Sequence, residues 1–386
     1  MRRAVARLGG APTVPTMPVD LLGLPADELH RQARAWFGAA KGAGAAPALH
    51  AAAVRDGAFA PERHGLGPRA AAAWRAFAML TLPTVTEVQT EATPHGDLQK
   101  RLLALADGHR IESVHLPMGR DRSSLCLSTQ AGCARACTFC ETGRLGLLRN
   151  LTAGEIVAQV TLQHRERRPD TLVFMGMGEP LDNLAALLPA LQVLTDPRGL
   201  AYAQDRLTVC TVGHVPGLHA LRELGWKRLG LAVSLHAATD AQRADLMPRA
   251  VRYPLAELRR ALRDYRQRRN LALGIHWCLL PGINDSPADA AALAAFCAPL
   301  GRVLVHVIPY NPGSAPIAAT PTEAQIAAFV ARLRAHGLAV RQRIAKGRSV
   351  MAACGQLGAA GNQLGAAENQ LRAADEPLGA AVPRPT

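Results

Sequence analysis

Short apolar runs alternate with amphipathic segments over most of the chain from about residue 124 onward. The runs have the length of buried strands, and the segments between them repeat apolar residues at helical spacing. The predicted strands are 125–128, 172–175, 207–211, 229–235, 273–279 and 303–308. The predicted helices are 153–164, 184–194, 218–224, 255–268, 288–298 and 323–336. The pattern predicts an α/β fold, a partial (β/α)6 barrel open at one side to admit a large substrate.

Three further regions flank this predicted core, which covers residues 119–355. Residues 1–97 form a small N-terminal accessory domain, mainly helical and alanine-rich, after a flexible lead-in at 1–20. Its predicted core anchors are Trp36, Phe37, Trp74 and Phe77. Residues 98–118 alternate around the turn signal Asp107-Gly108 and predict a strand-rich linker. Residues 356–386 repeat near-copies of GQLGAA, which predicts a low-complexity, disordered tail.

The composition predicts a class of binding partner and a cellular compartment. The chain has 386 residues, with 44 Lys and Arg against 30 Asp and Glu, a formal charge of +14 and a pI near 10.2. This balance favours an anionic partner such as RNA, although a genome that favours Arg and Ala would produce it too. No apolar run is long enough to predict a membrane span, and no signal peptide is evident. Eight unevenly spaced cysteines indicate a reducing compartment, which predicts the cytoplasm.

The most informative chemistry lies in the run CLSTQAGCARACTFCETG, where Cys133, Cys137 and Cys140 form the pattern Cys-x3-Cys-x2-Cys. Three thiolates at this spacing can bind three irons of a [4Fe-4S] cluster and leave the fourth open. An open iron can bind S-adenosylmethionine (SAM) through its amino and carboxylate groups. The alternative is a structural zinc site, but zinc requires four ligands and no nearby cysteine or histidine pair completes them.

A second motif, FMGMGEPLDN, follows the second predicted strand of the barrel. Its glycines allow the backbone to approach a ligand closely. Gly178 and Glu179 would offer a carbonyl and a carboxylate to the ammonium group of SAM. Alone the motif is weak evidence, and its position one strand after the cysteines strengthens it.

These two runs, followed in order by AVSLHA, VIPYNP and MAACGQL, resemble the RlmN/Cfr family of radical-SAM RNA adenine methyltransferases over residues 98–357. The resemblance implies a radical-SAM barrel with one [4Fe-4S] cluster on Cys133, Cys137 and Cys140. It also implies SAM contacts from the following residues: Gly178, Glu179, Cys210, Ser234, Leu235, His236 and Asn311.

The resemblance further implies a mechanism that methylates carbon 2 or carbon 8 of an adenine in rRNA or tRNA. Cys354 would be methylated first, because a thiolate is a good nucleophile and the adenine carbon is not. Glu112 would accept the ring proton, and Cys126 would release the product by forming a transient disulfide with Cys354. Each turnover would consume two SAM molecules. The implied partners are RNA and an electron donor such as flavodoxin or ferredoxin, with the enzyme a monomer.

Two positions depart from the family pattern and predict a divergent paralogue. Cys210 replaces the usual serine of a SAM contact, and Ser349-Val350-Met351 replaces the usual Asp-Ile pair before Cys354. Several alternatives remain open at this stage. Cys126 and Cys354 could be buried structural thiols, and the chain could act on another substrate or bind RNA without catalysis. Five further side chains are predicted as core or satisfied polar residues: Cys278, Cys297, His214, His219 and His276.

Overall fold

The computed structural model describes residues 18–38, 42–249, 252–265 and 272–358. Most of the repetitive tail and the first seventeen residues lie outside these ranges, so both predictions about the termini stay predictions. The strands are β1 (Val19–Asp20), β2 (Ala78–Met79), β3 (Thr84–Thr93), β4 (Gly96–Ala104), β5 (Arg110–Gly119), β6 (Arg122–Cys126), β7 (Gln130–Gly132), β8 (Leu147–Asn150), β9 (Thr171–Phe174), β10 (Leu207–Thr211), β11 (Gly230–Ser234), β12 (Leu273–Leu279), β13 (Val303–Pro309) and β14 (Ala339–Gln342).

The helices alternate with the strands of the core, as the sequence predicts. They are α1 (Ala26–Phe37), α2 (Ala46–Asp56), α3 (Pro68–Phe77), α4 (Glu141–Arg144), α5 (Ala153–Glu166), α6 (Leu184–Thr195), α7 (Val215–Glu223), α8 (Asp240–Leu246), α9 (Leu255–Tyr265), α10 (Pro287–Cys297) and α11 (Glu323–Ala335). Capping boxes begin three of them, with Thr152, Ser286 and Thr322 as the N-cap residues. Among the described residues, no helix is both long and apolar enough to cross a bilayer.

Ten strands form one open sheet in the order β14-β13-β12-β11-β10-β9-β6-β5-β4-β3. Every neighbouring pair from β6 through β14 is parallel. The prediction of a partial α/β barrel is therefore confirmed. The six predicted strands correspond to β6 and β9–β13, and β14 adds a seventh parallel strand from the extended stretch before Cys354. The parallel strands all present their C-terminal ends at one edge, where the predicted site residues lie.

The other end of the sheet corrects the sequence-based boundaries. Strands β3, β4 and β5 are antiparallel and continue the sheet from β6. Residues 84–97, placed by the sequence in the helical region, thus include an edge strand, and the hairpin at 98–118 is part of the main sheet rather than a separate linker. The hydrophobic pattern missed β3 because this strand is largely exposed and has no buried apolar face.

The N-terminal helices pack on the outside of the barrel. The Phe37 and Trp74 rings lie 5.3 Å apart, and Trp74 contacts Phe77 edge-on at 5.4 Å, which confirms these aromatics as core anchors. Helix α2 contacts α5, where the Thr161 hydroxyl donates to the Val54 carbonyl at 2.9 Å. These contacts place the helical region behind α5.

Candidate active site

The loop between β7 and β8 carries the three cysteines of the Cys-x3-Cys-x2-Cys motif. The Cys133 amide donates to the Gly146 carbonyl at 2.8 Å and closes the base of this loop. Ala136 has a φ of +53°, a left-handed conformation that costs a non-glycine residue about 1–2 kcal/mol. A Cβ at Gly143 would lie 2.8 Å from the Cys137 amide nitrogen. The loop is therefore tightly packed and locally strained, as backbones at functional sites often are.

All three thiols line one cavity of about 140 Å³, which we call the inner cavity. Burial raises the pKa of Cys133 to about 12, and it raises the pKa of Cys137 and of Cys140 as well. The neighbouring thiols reinforce the shift at Cys137, because a second negative charge nearby is unfavourable. These thiols are therefore protonated at neutral pH unless a bound cation stabilises the thiolates.

This donor set fits a cluster better than a single ion. Among the described residues, no three His, Cys, Asp or Glu side chains converge closely enough to hold one metal ion. An iron–sulfur cube is larger and requires sulfur ligands around its periphery rather than at one point. Cys133, Cys137 and Cys140 are the residues that would hold it, and the inner cavity they share provides the space beside it.

Glu179 lies across the inner cavity from the cysteine loop. Its Oε2 accepts from the Val212 amide at 2.8 Å, and its Oε1 accepts from the Leu181 amide at 3.0 Å. Burial raises the pKa of Glu179 to about 7, although both hydrogen bonds favour the ionised form. A buried carboxylate is only partly ionised at neutral pH when no cation beside it stabilises its charge. The ammonium group of SAM would supply one.

Gly178 presents the backbone next to this carboxylate. It has a φ of +98°, and a Cβ there would lie 2.5 Å from Cβ of Gln130. Gln130 in turn accepts from the Glu179 amide through its Oε1 at 2.8 Å. The glycine is therefore required by both conformation and space.

Gly178→Ala is expected to weaken SAM binding by about tenfold or more. The new methyl group has to displace Gln130 or the backbone that orients Glu179. The matched control is Gly225→Ala, because Gly225 also has a positive φ (+67°) but nothing lies within 4 Å of its Cβ position. Equilibrium dialysis with labelled SAM measures the effect. Equal affinity in the two variants would contradict this account of the cavity.

The turn after β11 contributes Ser234 and His236 to the inner cavity. His236 has a φ of +56°, its Nδ1 accepts from the Cys278 amide at 2.9 Å, and its ring packs edge-on against Phe139 at 4.9 Å. Burial lowers the pKa of His236 to about 3, so the ring is neutral. The side chain of Leu235 is buried in the core and does not line the cavity.

Cys210 and Asn311 lie in different places. Cys210 ends up buried on the wall of the inner cavity, which is where the family serine would contact SAM. Asn311 lines a second, adjoining cavity of about 330 Å³, which we call the outer cavity. Its Nδ2 donates to the Cys354 carbonyl at 3.3 Å, and its Oδ1 accepts from Nε of Arg348 at 2.6 Å. Asn311 thus positions the loop that carries Cys354.

Cys354 lines both cavities and lies where they meet. Its side chain is accessible from the cavities although protein surrounds it, and this enclosure raises the pKa of its thiol while Arg343 opposes the shift. Cys126, at the end of β6, lines the outer cavity, and burial raises its pKa to about 12. Both are free thiols, and no disulfide joins any of the described cysteines.

The loop before Cys354, where the sequence departs from the family, is anchored to β3. Both oxygens of Glu91 accept hydrogen bonds from it, from the Gly347 amide at 2.6 Å and from the Ser349 amide and hydroxyl at 3.0 and 2.6 Å. Met351 takes a positive φ of +50° on the way to Cys354. Ser349, one of the altered residues, therefore has defined contacts with the edge strand.

Glu112 lies on β5, behind the Cys354 loop, and is not among the residues that line either cavity. Its Oε2 accepts from the Gly358 amide at 3.0 Å, and its Oε1 has no hydrogen-bond partner among the described residues. Burial raises the pKa of Glu112, and the charge of the buried Lys100 opposes this. A buried carboxyl group with a raised pKa is suited to proton transfer.

Sequence reasoning missed two residues that support the inner cavity. Gln130 holds the Glu179 backbone, as described above. Asn284 is fully buried and donates through Nδ2 to the carbonyls of His236 and Cys278, each at 2.8 Å. Two residues predicted as core, Cys278 and His276, are indeed buried but also line the cavity. No spacing in the sequence signals these roles, because the partners lie on different strands.

Comparisons with known proteins match this chain to one superfamily and to individual relatives. The family model of the radical SAM superfamily matches residues 127–294. A probable RNA methyltransferase of Sorangium cellulosum is 42% identical over 340 residues, which cover 86% of this chain and 84% of that protein. The dual-specificity RNA methyltransferase RlmN of Syntrophotalea carbinolica is 43% identical over 276 residues, 71% of this chain and 72% of that protein.

A solved structure extends the agreement to the fold. The radical SAM methyltransferase from Sphaerobacter thermophilus matches with a TM-score of 0.79 and 35% identity, covering 89% of this chain and 100% of that one. A match of this TM-score and coverage shows that the two chains share the fold. The chain belongs to the RlmN family of radical-SAM RNA methyltransferases.

Proposed function

We propose that the protein methylates carbon 2 or carbon 8 of an adenine in rRNA or tRNA through an S-methylcysteine at Cys354. The observation that carries this proposal is the position of Cys354 at the junction of the inner and outer cavities. A thiol placed there can receive a methyl group from one side and deliver it to a base on the other. A thiol serving only the core would line neither cavity.

When bound, the [4Fe-4S] cluster supplies the electron that cleaves SAM to a 5′-deoxyadenosyl radical. The side chains around it hold the reactants. Glu179 pairs with the SAM ammonium, the Gly178 backbone closes over it, and the Ser234–His236 turn contacts its adenosine part. Cys210 takes the place of the family serine on the same wall, where its thiol makes a weaker hydrogen-bond donor.

Cys354 carries the methyl group. Its thiolate attacks the methyl carbon of one SAM molecule, so the bond from this carbon to the sulfonium breaks and S-adenosylhomocysteine leaves. Arg343 assists this step by opposing the raised pKa of the thiol. The S-methyl group then loses a hydrogen atom to the radical from a second SAM, and its methylene carbon bonds to the adenine ring. The adduct passes its unpaired electron to the oxidised electron donor, so an even-electron species remains. Enzyme and RNA are covalently joined at this stage.

Glu112 and Cys126 release the product. Glu112 accepts the ring proton once the 354–358 segment exposes its carboxylate to the adduct. The Cys126 thiolate attacks Sγ of Cys354, so the bond from this sulfur to the transferred carbon breaks and a Cys126–Cys354 disulfide forms. The released methylene carbon keeps the electron pair and takes up a proton, which completes the methyl group. A thiol reductant returns both residues to the free form. Both thiols line the outer cavity, and the charge of Cys354 adds to the burial that raises the pKa of Cys126, which supports their closeness.

RNA would enter through the outer cavity. Its rim carries His95, Arg341, Arg343 and Lys346, which suit a phosphate backbone, and the exposed apolar side chain of Ile344 can contact an unstacked base. A flavodoxin or ferredoxin would supply the electron, and the cytoplasm would supply both partners. We propose a monomer, with residues 1–97 as the accessory RNA-binding region.

The test of the function is mass spectrometry of nucleosides from rRNA and tRNA treated with reconstituted enzyme, SAM and reductant. Methyladenosine modified at carbon 2 or at carbon 8 is the expected product. SAM cleavage with no methylated nucleoside in any RNA would favour a radical-SAM enzyme with another substrate. A protein that binds RNA but cleaves no SAM would favour the non-catalytic alternative.

Glu112→Gln is expected to stall the reaction at the covalent RNA adduct, because no base then removes the ring proton. In the unaltered enzyme, burial raises the pKa of Glu112, so a larger share of it is protonated at mildly acidic pH than for an ordinary glutamate. Adduct resolution should therefore slow as the pH falls through that raised pKa and recover above it. Gel analysis of RNA-linked protein against pH measures this. A flat profile for the unaltered enzyme would remove Glu112 from the base role.

A further inference from the structure

Arg243, on α8, is a fully buried cation without a counter-ion. Its exposed fraction is 0%, and no carboxylate of the described residues forms a salt bridge with it. Its Nη2 donates to the Val212 carbonyl, whereas Nε and Nη1 have no hydrogen-bond partner. Burying an unpaired charge is costly, so a protein that retains one usually pairs it with a charge that is bound later.

The position of Arg243 identifies where that charge would lie. Helix α8 docks on the cysteine loop, since the Thr138 amide and hydroxyl both bond to the Leu246 carbonyl at 3.0 and 3.2 Å. Among the nearby acidic groups, the Cys137 thiolate raises the pKa of Arg243 most, ahead of Asp240 and Glu179. Nη2 of Arg243 donates to the Val212 carbonyl, and Val212 lines the inner cavity that the three cysteines share, so the guanidinium lies beside this cavity.

The other acidic groups nearby accept hydrogen bonds from backbone amides and form no salt bridge with Arg243. Asp240 accepts from the Leu255 amide at 2.8 Å, and Glu179 binds the amides of Val212 and Leu181. Arg135, the other cation near Arg243, forms a salt bridge with Asp182 and so adds little net charge. Burial lowers the pKa of Arg243 to about 10, which leaves it charged at neutral pH.

We propose that Arg243 is a positioning residue whose charge offsets the negative charge of the cluster and its Cys137 thiolate, raising the reduction potential of the cluster. A cluster with three thiolates is anionic, and reduction adds one more negative charge. A fixed cation beside it stabilises the reduced form more than the oxidised form. The unpartnered Nε and Nη1 of Arg243 can also donate hydrogen bonds to sulfur, as outer partners of metal ligands commonly do. The inference rests on the proposed cluster on Cys133, Cys137 and Cys140.

The test is a redox titration of the reconstituted enzyme followed by electron paramagnetic resonance, without RNA. Arg243→Met is expected to shift the reduction equilibrium at least tenfold toward the oxidised form, about 60 mV more negative for a one-electron couple. Arg243→Lys keeps the charge and should stay close to the unaltered potential. The matched control is Arg101→Met. Arg101, on β4, is also buried with unpartnered Nε and Nη1, but it forms a salt bridge with Glu166 at the end of α5.

The outcomes separate the possibilities. Equal potentials in Arg243→Met and unaltered enzyme overturn the proposal, as do equal shifts in the Met and Lys variants, which indicate a packing effect. An unchanged potential with weakened SAM binding would assign the cation to the SAM carboxylate and also overturn it. If only the Lys variant still loads iron, the charge is required for the cluster and the proposal stands. If the Arg243→Lys variant also fails to load iron, the proposal is wrong. Unaltered enzyme that binds no cluster would instead refute the proposed function.

Discussion

Replacing Cys354 with alanine is expected to abolish RNA methylation while leaving iron content and SAM binding unchanged. Loss of a covalent nucleophile typically costs a thousandfold or more in rate, on the order of 10³ to 10⁶. The loss should be complete here because the adenine carbon cannot attack SAM directly. Nucleoside mass spectrometry measures the product, and iron analysis and dialysis against labelled SAM check the rest of the site.

Cys126→Ala is the informative companion to this variant. Cys126 lines the same outer cavity, but its proposed role comes after the carbon–carbon bond has formed. This variant should therefore accumulate RNA covalently attached to protein, whereas Cys354→Ala should accumulate none. Methylated product from Cys354→Ala, or adduct in both variants, would defeat the S-methylcysteine route.

Replacing Cys137 with alanine is expected to remove the cluster and all SAM cleavage. Burial and the neighbouring thiols raise the pKa of Cys137 well above its ordinary value, so its thiolate depends on bound iron. With two of three ligands left, anaerobic reconstitution should yield a colourless protein with iron well below the unaltered level. Iron and sulfide analysis with the visible absorption spectrum provides the measurement.

The control for this second prediction is Cys297→Ala. Cys297 is a buried thiol on α10 that lines neither cavity, so its removal leaves the motif intact. Iron content should match that of the unaltered protein, and at most a modest loss of stability should result. A brown Cys137→Ala protein that still cleaves SAM would mean that these three cysteines do not bind the cluster.

Local features of this site were readable from the sequence because they depend on short spacing. Cys133, Cys137 and Cys140 lie within one turn-rich loop, and Gly178 and Glu179 are adjacent, so their order along the chain places them together. Six core helices and the parallel strands were also predicted within a few residues, since their buried faces impose a clear hydrophobic period, whereas the short helix α8 was missed. The resemblance of five ordered motifs supplied the reaction class.

Features that join distant segments were decided by the tertiary structure. Strand β3 carries no apolar face, yet its Glu91 anchors the loop before Cys354, a contact across more than 250 residues of chain. The docking of α8, which carries Arg243, on the cysteine loop and the support of His236 by Asn284 likewise join separate elements.

The sequence by itself determined the barrel, the ligand triad and the identity of the thiol that would carry the methyl group. Only the tertiary structure decided that this thiol lies where two cavities meet, that Glu112 is capped by the Gly358 amide, and that a cation is buried unpaired beside the inner cavity. The physical reason is the separation along the chain over which each effect acts. Backbone propensity and hydrophobic period act between neighbours in sequence, whereas cavities, burial and charge compensation depend on which distant residues the fold brings together.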